Sequence, residues 1–306
     1  MKISFIVPVH NEENFIFTCL KSLLRYKRPQ DEIIIGLDAC TDCTEVIAKA
    51  LNIKCIKSKK NIGKHAMLDR LIKKARGDII IVHDADWIFV GEKSLDSLAK
   101  YFEDEEVGGI ANSFSFTYPN KEKGNIIYVG DAWCSHFLME FKKKYYTTRN
   151  KGILYIDGNK MFFPFFLNII RKKLMTRAVT VADDLERVLT IIERGYKIVV
   201  PEDEGIPHQK VTYTHISFPR LYIQKVRGHL ARKQIKLNYD YNTSIRNFYV
   251  PMTIFIIRKM LKIHSLKMIA SIFIWIAVTI LSYFHALIIY WTTSLSSEKL
   301  WGMRIR

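Results

Sequence analysis

Ile79-Ile80-Ile81-Val82-His83-Asp84-Ala85-Asp86 is the stretch on which the fold class turns. Four branched apolar residues in a row make a short strand buried on both faces, and the polar break that follows ends it at two acids. In an extended segment residues two apart point the same way, so Asp84 and Asp86 can aim two carboxylates at one point. Taken alone, the pair is equally well read as ordinary polarity at a strand end.

Working outward, the same alternation recurs. Residues 3–7, 33–37 and 54–56 are short runs rich in branched apolar side chains, and residues 15–26, 44–51 and 64–75 between them show helical spacing. Strands alternating with helices predict a parallel sheet wound with helices on both faces. Ligands of such sheets bind beyond the carboxyl ends of the strands. There the sequence carries Pro8-Val9-His10-Asn11-Glu12-Glu13 after the first strand and Asp38-Ala39-Cys40-Thr41-Asp42-Cys43-Thr44 after the second. Asn11 and Asp42 suit helix N-caps, and Glu12 and Glu13 suit the positive end of a helix. Three acidic strand ends together point further, to Mg²⁺ or Mn²⁺, which accept one or two carboxylates and complete their shells with water and phosphate oxygens.

Asn61-Ile62-Gly63-Lys64 adds a cation at the start of the third helix, where N–H groups and Lys64 both favour phosphate. It is not a Walker A loop, because Ser58 stands where Gly is required and His65 follows the lysine. Further on, Asp183-Asp184 opens an apolar stripe at helical spacing (Leu185, Val188, Leu189, Ile192). Asp183 with Glu186 fits a capping box, which leaves Asp184 as a candidate general base. Gly195-Tyr196-Lys197-Ile198-Val199-Val200-Pro201 closes that helix and starts another strand. Trp133, His136 and Tyr145 fall in a stretch that reads either as acceptor contacts or as packing.

The 306 residues hold 47 Lys+Arg against 30 Asp+Glu, a net charge of +17, with 49% apolar residues. That balance excludes a disordered chain and a many-span membrane protein, and it asks for an anionic partner. The bases are scattered or near the C-terminus and no RNA- or DNA-binding signature appears, so nucleic acid is not the expected partner. Five cysteines in a chain of this length are expected to be reduced thiols, and Cys40-x-x-Cys43 alone is a weak metal signal.

Residues 269–291 contain no Asp, Glu, Lys or Arg. As a helix they would reach ~34 Å, enough to cross a hydrocarbon core of about 30 Å. Arg258, Lys259, Lys262 and Lys267 precede the segment, and Lys299, Arg304 and Arg306 follow it with Glu298. The heavier basic flank predicts a single-pass protein of the cell membrane with its large N-terminal part cytoplasmic. Tyr249-Val250-Pro251-Met252-Thr253-Ile254-Phe255-Ile256-Ile257 and Met161-Phe162-Phe163-Pro164-Phe165-Phe166-Leu167 are too short to span. Both read as interfacial segments at an anionic membrane surface, the Phe-rich one equally as core. The expected organisation is a catalytic domain over 1–235, a basic juxtamembrane segment over 236–267, a transmembrane helix over 268–292 and a tail over 293–306.

Six motifs, in order, resemble the family 2 glycosyltransferases of the GT-A fold, which include dolichyl-phosphate sugar synthases and cellulose and hyaluronan synthases. Val7-Pro8-Val9-His10-Asn11-Glu12 is similar to the opening P-x-Y-N-E, residues 38–44 to D-G-S-T-D-G-T, and residues 61–69 to N-x-G-K-x-x-A-x-N. Asp84-Ala85-Asp86 is similar to D-x-D, Asp183-Asp184 to the acceptor-side E-D, and Gln224-Lys225-Val226-Arg227 to the start of Q-x-x-R-W. The resemblance covers roughly residues 3–235. It implies a Rossmann-like mixed sheet and an inverting transfer from a nucleoside diphosphate sugar, a UDP- or GDP-sugar. Pro8, His10, Glu12, Asp38, Lys64 and Asp84 would bind the nucleotide sugar, with Asp38 on the base and Asp84 on the ribose or diphosphate. Asp86, together with Asp84, would hold the metal, Asp184 would be the base, and Asp183, Gln224 and Arg227 would lie near acceptor and diphosphate.

Departures narrow the expectation. Cys40 and Cys43 replace Ser and Gly, Asp183 replaces Glu, and Gly228 replaces the Trp associated with holding a sugar acceptor in processive enzymes. A single addition to a lipid-linked or glycan acceptor near the membrane therefore fits better than polymer translocation. A processive synthase, a nucleotidyltransferase, an inactive nucleotide-sugar-binding subunit and a basic membrane-anchored binding protein are the alternatives.

Overall fold

The computed structural model describes residues 1–115, 124–160, 165–177, 180, 183–212, 215–239, 245–263 and 265–292. In chain order the elements are β1 (Ile3–Val9), α1 (Glu13–Tyr26), β2 (Glu32–Asp38), α2 (Thr44–Ala50), β3 (Lys54–Ser58), α3 (Gly63–Lys74), β4 (Ile79–Val82), β5 (Trp87–Val90), α4 (Leu95–Ala99) and β6 (Val107–Asn112). There follow α5 (Ile126–Tyr145), β7 (Thr147–Asn150), β8 (Ile153–Ile156), β9 (Phe166–Arg171), α6 (Asp183–Glu193), β10 (Lys197–Val199), β11 (His208–Val211), α7 (Phe218–Tyr239), α8 (Ile245–Met260) and α9 (Leu266–Thr292).

Among the described residues nine strands form one sheet in the order β3-β2-β1-β4-β9-β6-β10-β8-β7, and β11 pairs with β5 beside it. From β3 to β4 all pairs are parallel, as the alternation predicts. Alternate residues feed opposite faces: Phe5, Val7, Ile33, Ile35, Ile79 and Ile81 pack under one set of helices, and Ile6, Ile34, Ile80 and Val82 under α3. This is why the runs are continuously apolar. Gly36 lets α3 lie close to β2, since a Cβ there would come 2.6 Å from Met67.

The expectation of a parallel sheet holds only for that half. β9 runs antiparallel to both β4 and β6, so the sheet is mixed, as the motif resemblance implies. β9 begins inside the Phe-rich stretch expected at a membrane surface; Phe165 and Leu167 are fully buried, which makes this part core. Residues 161–164 lie outside the described residues, as do the tail bases Lys299, Arg304 and Arg306.

The C-terminal helices are docked on the domain. α9 buries Met268, Ser271, Ile272, Trp275, Val278, Ser282 and Ala286, a stripe at helical spacing, largely against α5 and α7. Gly130 of α5 permits this approach, because a Cβ there would come 2.3 Å from the Ser271 carbonyl oxygen. A buried knot fastens the three helices: Asp131 Oδ1 accepts from Trp275 Nε1 at 2.9 Å and from Lys225 Nζ at 3.3 Å. The opposite face of α9 leaves Phe273, Ile280, Leu281, Phe284, Ile288 and Trp291 exposed. By length and composition α9 can cross a membrane, alone among the helices of the described residues. α8 contains the other stretch expected at an interface; Met252 and Ile256 face the core while Val250, Ile254 and Ile257 are exposed. The Trp133 ring lies against that of Phe137, and the Tyr145 ring against those of Phe141 and Phe255.

Candidate active site

The site is built from the carboxyl ends of β1, β2 and β4 and the first turns of α3, α6 and α7. The loops after β1 and β2 are laced together. Asn11 and Ala39 take left-handed backbone, at φ 55° and 51°. Asn11 does not cap α1, as its side chain accepts instead from the Thr41 N–H at 2.8 Å. Asp42 caps across the gap, accepting from the N–H groups of Glu13 and Thr44 at 3.0 Å each, while Glu13 accepts from Cys43 N–H at 3.0 Å. Glu12 N–H donates to Thr44 Oγ1 at 2.9 Å, and His10 Nδ1 lies 2.5 Å from the Asp38 carbonyl oxygen. Pro8 is a half-buried residue within β1. The Cys40 thiol faces the Val9 carbonyl, and Cys43 is exposed.

Asp38 is 4% exposed, and its two oxygens accept from the N–H groups of Ile62 and Gly63 at 2.8 Å each. Its carboxylate fixes the start of α3, with Gly63 at φ 81°, and so sets where Lys64 emerges. From there Lys64 Nζ reaches Asp84 Oδ1 at 2.8 Å. Burial opposes the charge on that amine, but Asp84 and Asp183 outweigh it and raise its pKa.

The turn bearing Asp84 and Asp86 is pinned from behind. Thr212 donates to the Asp86 carbonyl from N–H and Oγ1, at 3.0 and 2.8 Å. Asp86 Oδ2 faces Arg220 Nη2 at 3.4 Å. Burial, and then the charge of Asp84, push the Asp86 carboxyl above its ordinary value. A carboxylate pair two residues apart at a strand end is a natural seat for a hard divalent cation. Among the described residues no three His, Cys, Asp or Glu side chains gather as a metal cage. The donor set is thus two carboxylates, which suits Mg²⁺ or Mn²⁺ sharing its shell with water and phosphate oxygens.

At α6 the predicted capping box is corrected. Asp183 lies within the helix and pairs with Arg187 one turn on, while Glu186 accepts from Thr180 N–H and Oγ1 at 2.9 Å each. The donors to Glu186 are thus the N–H and hydroxyl of Thr180, while the Asp183 carboxylate is held by a cation. Arg187 is itself anchored on the Leu167 carbonyl at 3.0 Å and on Asn168 Oδ1 at 2.9 Å. Burial alone would raise the Asp183 carboxyl, but Arg187, Lys64 and His65 hold it below the usual range. The neighbouring Asp184 moves the other way, up to about 6, through burial and the charge of Asp183. Two adjacent carboxyls driven apart in this manner separate a fixed anion from a proton acceptor that works near neutrality.

Of the α7 residues, Gln224 is exposed and Arg227 half-buried, and Asp86 is met by Arg220 instead. The signal for Arg220 was present in the spacing, since residues 220, 224 and 227 share one helix face. A second missed residue is Lys142 on α5, 1% exposed, with Nζ 5.6 and 5.3 Å from the Phe165 and Phe166 ring centroids. Burial, aided by Arg232, lowers its pKa to about 7, and Asp184 opposes the shift. In sequence it sits in Lys142-Lys143-Lys144, which no motif singles out.

A family model described as glycosyl transferase family 2 matches residues 4–175, more than half of the chain. EpsH of Bacillus subtilis, named as a glycosyltransferase, is 37% identical over 91 residues, 28% of this chain and 26% of EpsH. The uncharacterized glycosyltransferase RC0461 of Rickettsia conorii is 34% identical over 127 residues, 40% of this chain and 20% of its own. These matches therefore span about a quarter or less of the relatives' length. Among solved structures, the mannosyltransferase PcManGT of Pyrobaculum calidifontis, in complex with GDP-Man and Mn²⁺, shares the fold. Its TM-score is 0.58 at 15% identity, over 96% of this chain and 88% of that one.

Proposed function

The chain belongs to glycosyl transferase family 2, and on that premise we propose that it is an inverting, metal-dependent enzyme moving one sugar from a UDP- or GDP-sugar to a lipid-linked or membrane-proximal acceptor. The observation that carries the reading is the position of Lys64. Its amine contacts Asp84 and lies within electrostatic reach of Asp183, which joins the donor end of the site to the acceptor end. A divalent cation on Asp84 and Asp86 would neutralise charge developing on the leaving diphosphate. Lys64 adds a second positive charge there. Asp184 takes the proton of the attacking hydroxyl, and Asp183, clamped by Arg187, keeps that base oriented. His10, Glu12 and Asp38 shape the nucleotide side, Asp38 through the backbone it holds. Gln224 and Arg227 would lie near the diphosphate and acceptor.

PcManGT holds GDP-Man and Mn²⁺, ligands for which the two-carboxylate donor set here is chemically suited. α7, which carries the acceptor-side residues, is packed on α9, so an acceptor anchored in a bilayer would arrive at the correct side of the site. With α9 as a single span, residues 1–235 are catalytic and cytoplasmic, 236–267 juxtamembrane, and 293–306 a tail.

The test is a panel of nucleotide sugars scored for nucleoside diphosphate release, with Asp86→Asn and Asp184→Asn beside the native protein. Loss of release by 10²-fold or more in both variants is expected. Unchanged turnover in either one removes the role assigned to that residue.

A further inference from the structure

Asp84 and Asp86 each face a cation, and the two contacts differ in kind. Lys64 Nζ to Asp84 is 2.8 Å, with the lysine side chain 17% exposed and its position fixed by the Asp38 anchor on α3. Arg220 Nη2 to Asp86 is 3.4 Å, with the arginine side chain 48% exposed at the first turn of α7. The first has the length of a charge-assisted hydrogen bond; the second is longer than that and half in water, so it is weak and readily exchanged. Arg220 also shares its helix face with Gln224 and Arg227. A guanidinium presents a planar fork of donors that matches phosphate oxygens two at a time.

We propose that Arg220 is an exchangeable counter-ion of the site, holding Asp86 until a divalent cation contends for that carboxylate and then moving to the donor's diphosphate as a catalytic residue. The inference rests on the reading of Asp84 and Asp86 as the metal-holding pair. It adds a residue outside the motif matches and gives it opposite effects on two ligands. On the bare site Arg220 competes with the cation. With nucleotide present it reinforces binding and balances charge on the leaving group.

The opposite signs make the test. Binding of Mn²⁺ alone is measured by electron paramagnetic resonance on full-length, chelator-treated protein. Binding of UDP and of GDP at saturating Mn²⁺ is measured by calorimetry. Arg220→Gln is expected to bind Mn²⁺ alone about three-fold more tightly, the scale of an exposed ion pair. It is expected to bind whichever nucleotide the native protein prefers about ten-fold more weakly, the scale of a charged hydrogen bond. Arg220→Lys keeps the charge but not the fork, so its Mn²⁺ affinity should stay near native while nucleotide affinity falls. If Arg220→Gln shifts both affinities in the same direction, or neither, the arginine is only a strut between α7 and the acidic turn and the proposal is overturned. Asp86→Asn separates the two levels. Native Mn²⁺ binding in that variant overturns the metal reading and this inference together, whereas lost Mn²⁺ binding supports the metal reading whatever Arg220→Gln does.

Discussion

Lys64 Nζ lies 2.8 Å from Asp84 Oδ1, and the same amine is drawn on by Asp183, which belongs to a helix more than a hundred residues further along the chain. One half-buried cation thereby stabilises three carboxylates, Asp84 and the Asp183–Asp184 pair, that otherwise repel one another.

Lys64→Met should lower kcat/KM by about 10²-fold, through lost diphosphate stabilisation and a more basic Asp184. Lys64 is among the charges that oppose the upward shift of Asp184, so the acid limb of the pH–rate profile should move to higher pH. A pH–rate profile with an unmoved acid limb would show that Lys64 does not act on the base.

Stability should register Asp184 independently of turnover. Its folded pKa is about 6, above the ordinary 3.8, so the native state binds more protons than the unfolded chain between those values. Stability therefore falls as pH rises through that window. Asp184→Asn should be more stable than native by about 1–2 kcal/mol at pH 8, with the gain vanishing below pH 4. Thermal melts at the two pH values check it, and an equal effect at both would assign the gain to packing.

The α5–α9 contact is limited by a missing side chain. A Cβ at residue 130 would come 2.3 Å from a backbone oxygen of α9 that cannot yield locally. Gly130→Val is expected to destabilise by about 1–3 kcal/mol, the range of overpacking, and to expose the segment before α9 to protease. A native melting temperature and digestion pattern in detergent would contradict the close docking.

Gly228 offers the opposite case. It lies inside α7, and a Cβ there would meet nothing within 4 Å. Gly228→Ala should stabilise the protein by about 0.5–1 kcal/mol by favouring the helix over the unfolded chain. Chemical denaturation resolves a change of that size, and a loss of stability would mean that the added methyl group meets a neighbour.

Much of the site was legible because its residues sit at the ends of regular elements. The strand ending at Val82 announces Asp84 and Asp86, and the helix beginning near residue 183 announces Asp183 and Asp184. The finer roles were not legible. Asp38 reads as a ligand contact, yet its carboxylate holds the backbone of Ile62 and Gly63, partners 24 and 25 residues away. Asp183 reads as a cap because Glu186 lies at the right distance, yet Arg187 takes it. Lys142 stands in a run of three lysines that no motif singles out, and it is buried beside Phe165 and Phe166.

The sequence by itself determined the alternation of strand and helix, the order of the motifs, the family they resemble and the existence of one long uncharged segment, because each depends on local periodicity and residue type. Tertiary structure decided the rest. It turned β9 antiparallel in the middle of the sheet, matched Lys64 and Arg220 to their separate aspartates, and laid one face of α9 along α5 and α7. Those outcomes are contacts between segments far apart in the chain, fixed by which charges find partners and which surfaces fit, and neither is encoded in the spacing of neighbouring residues.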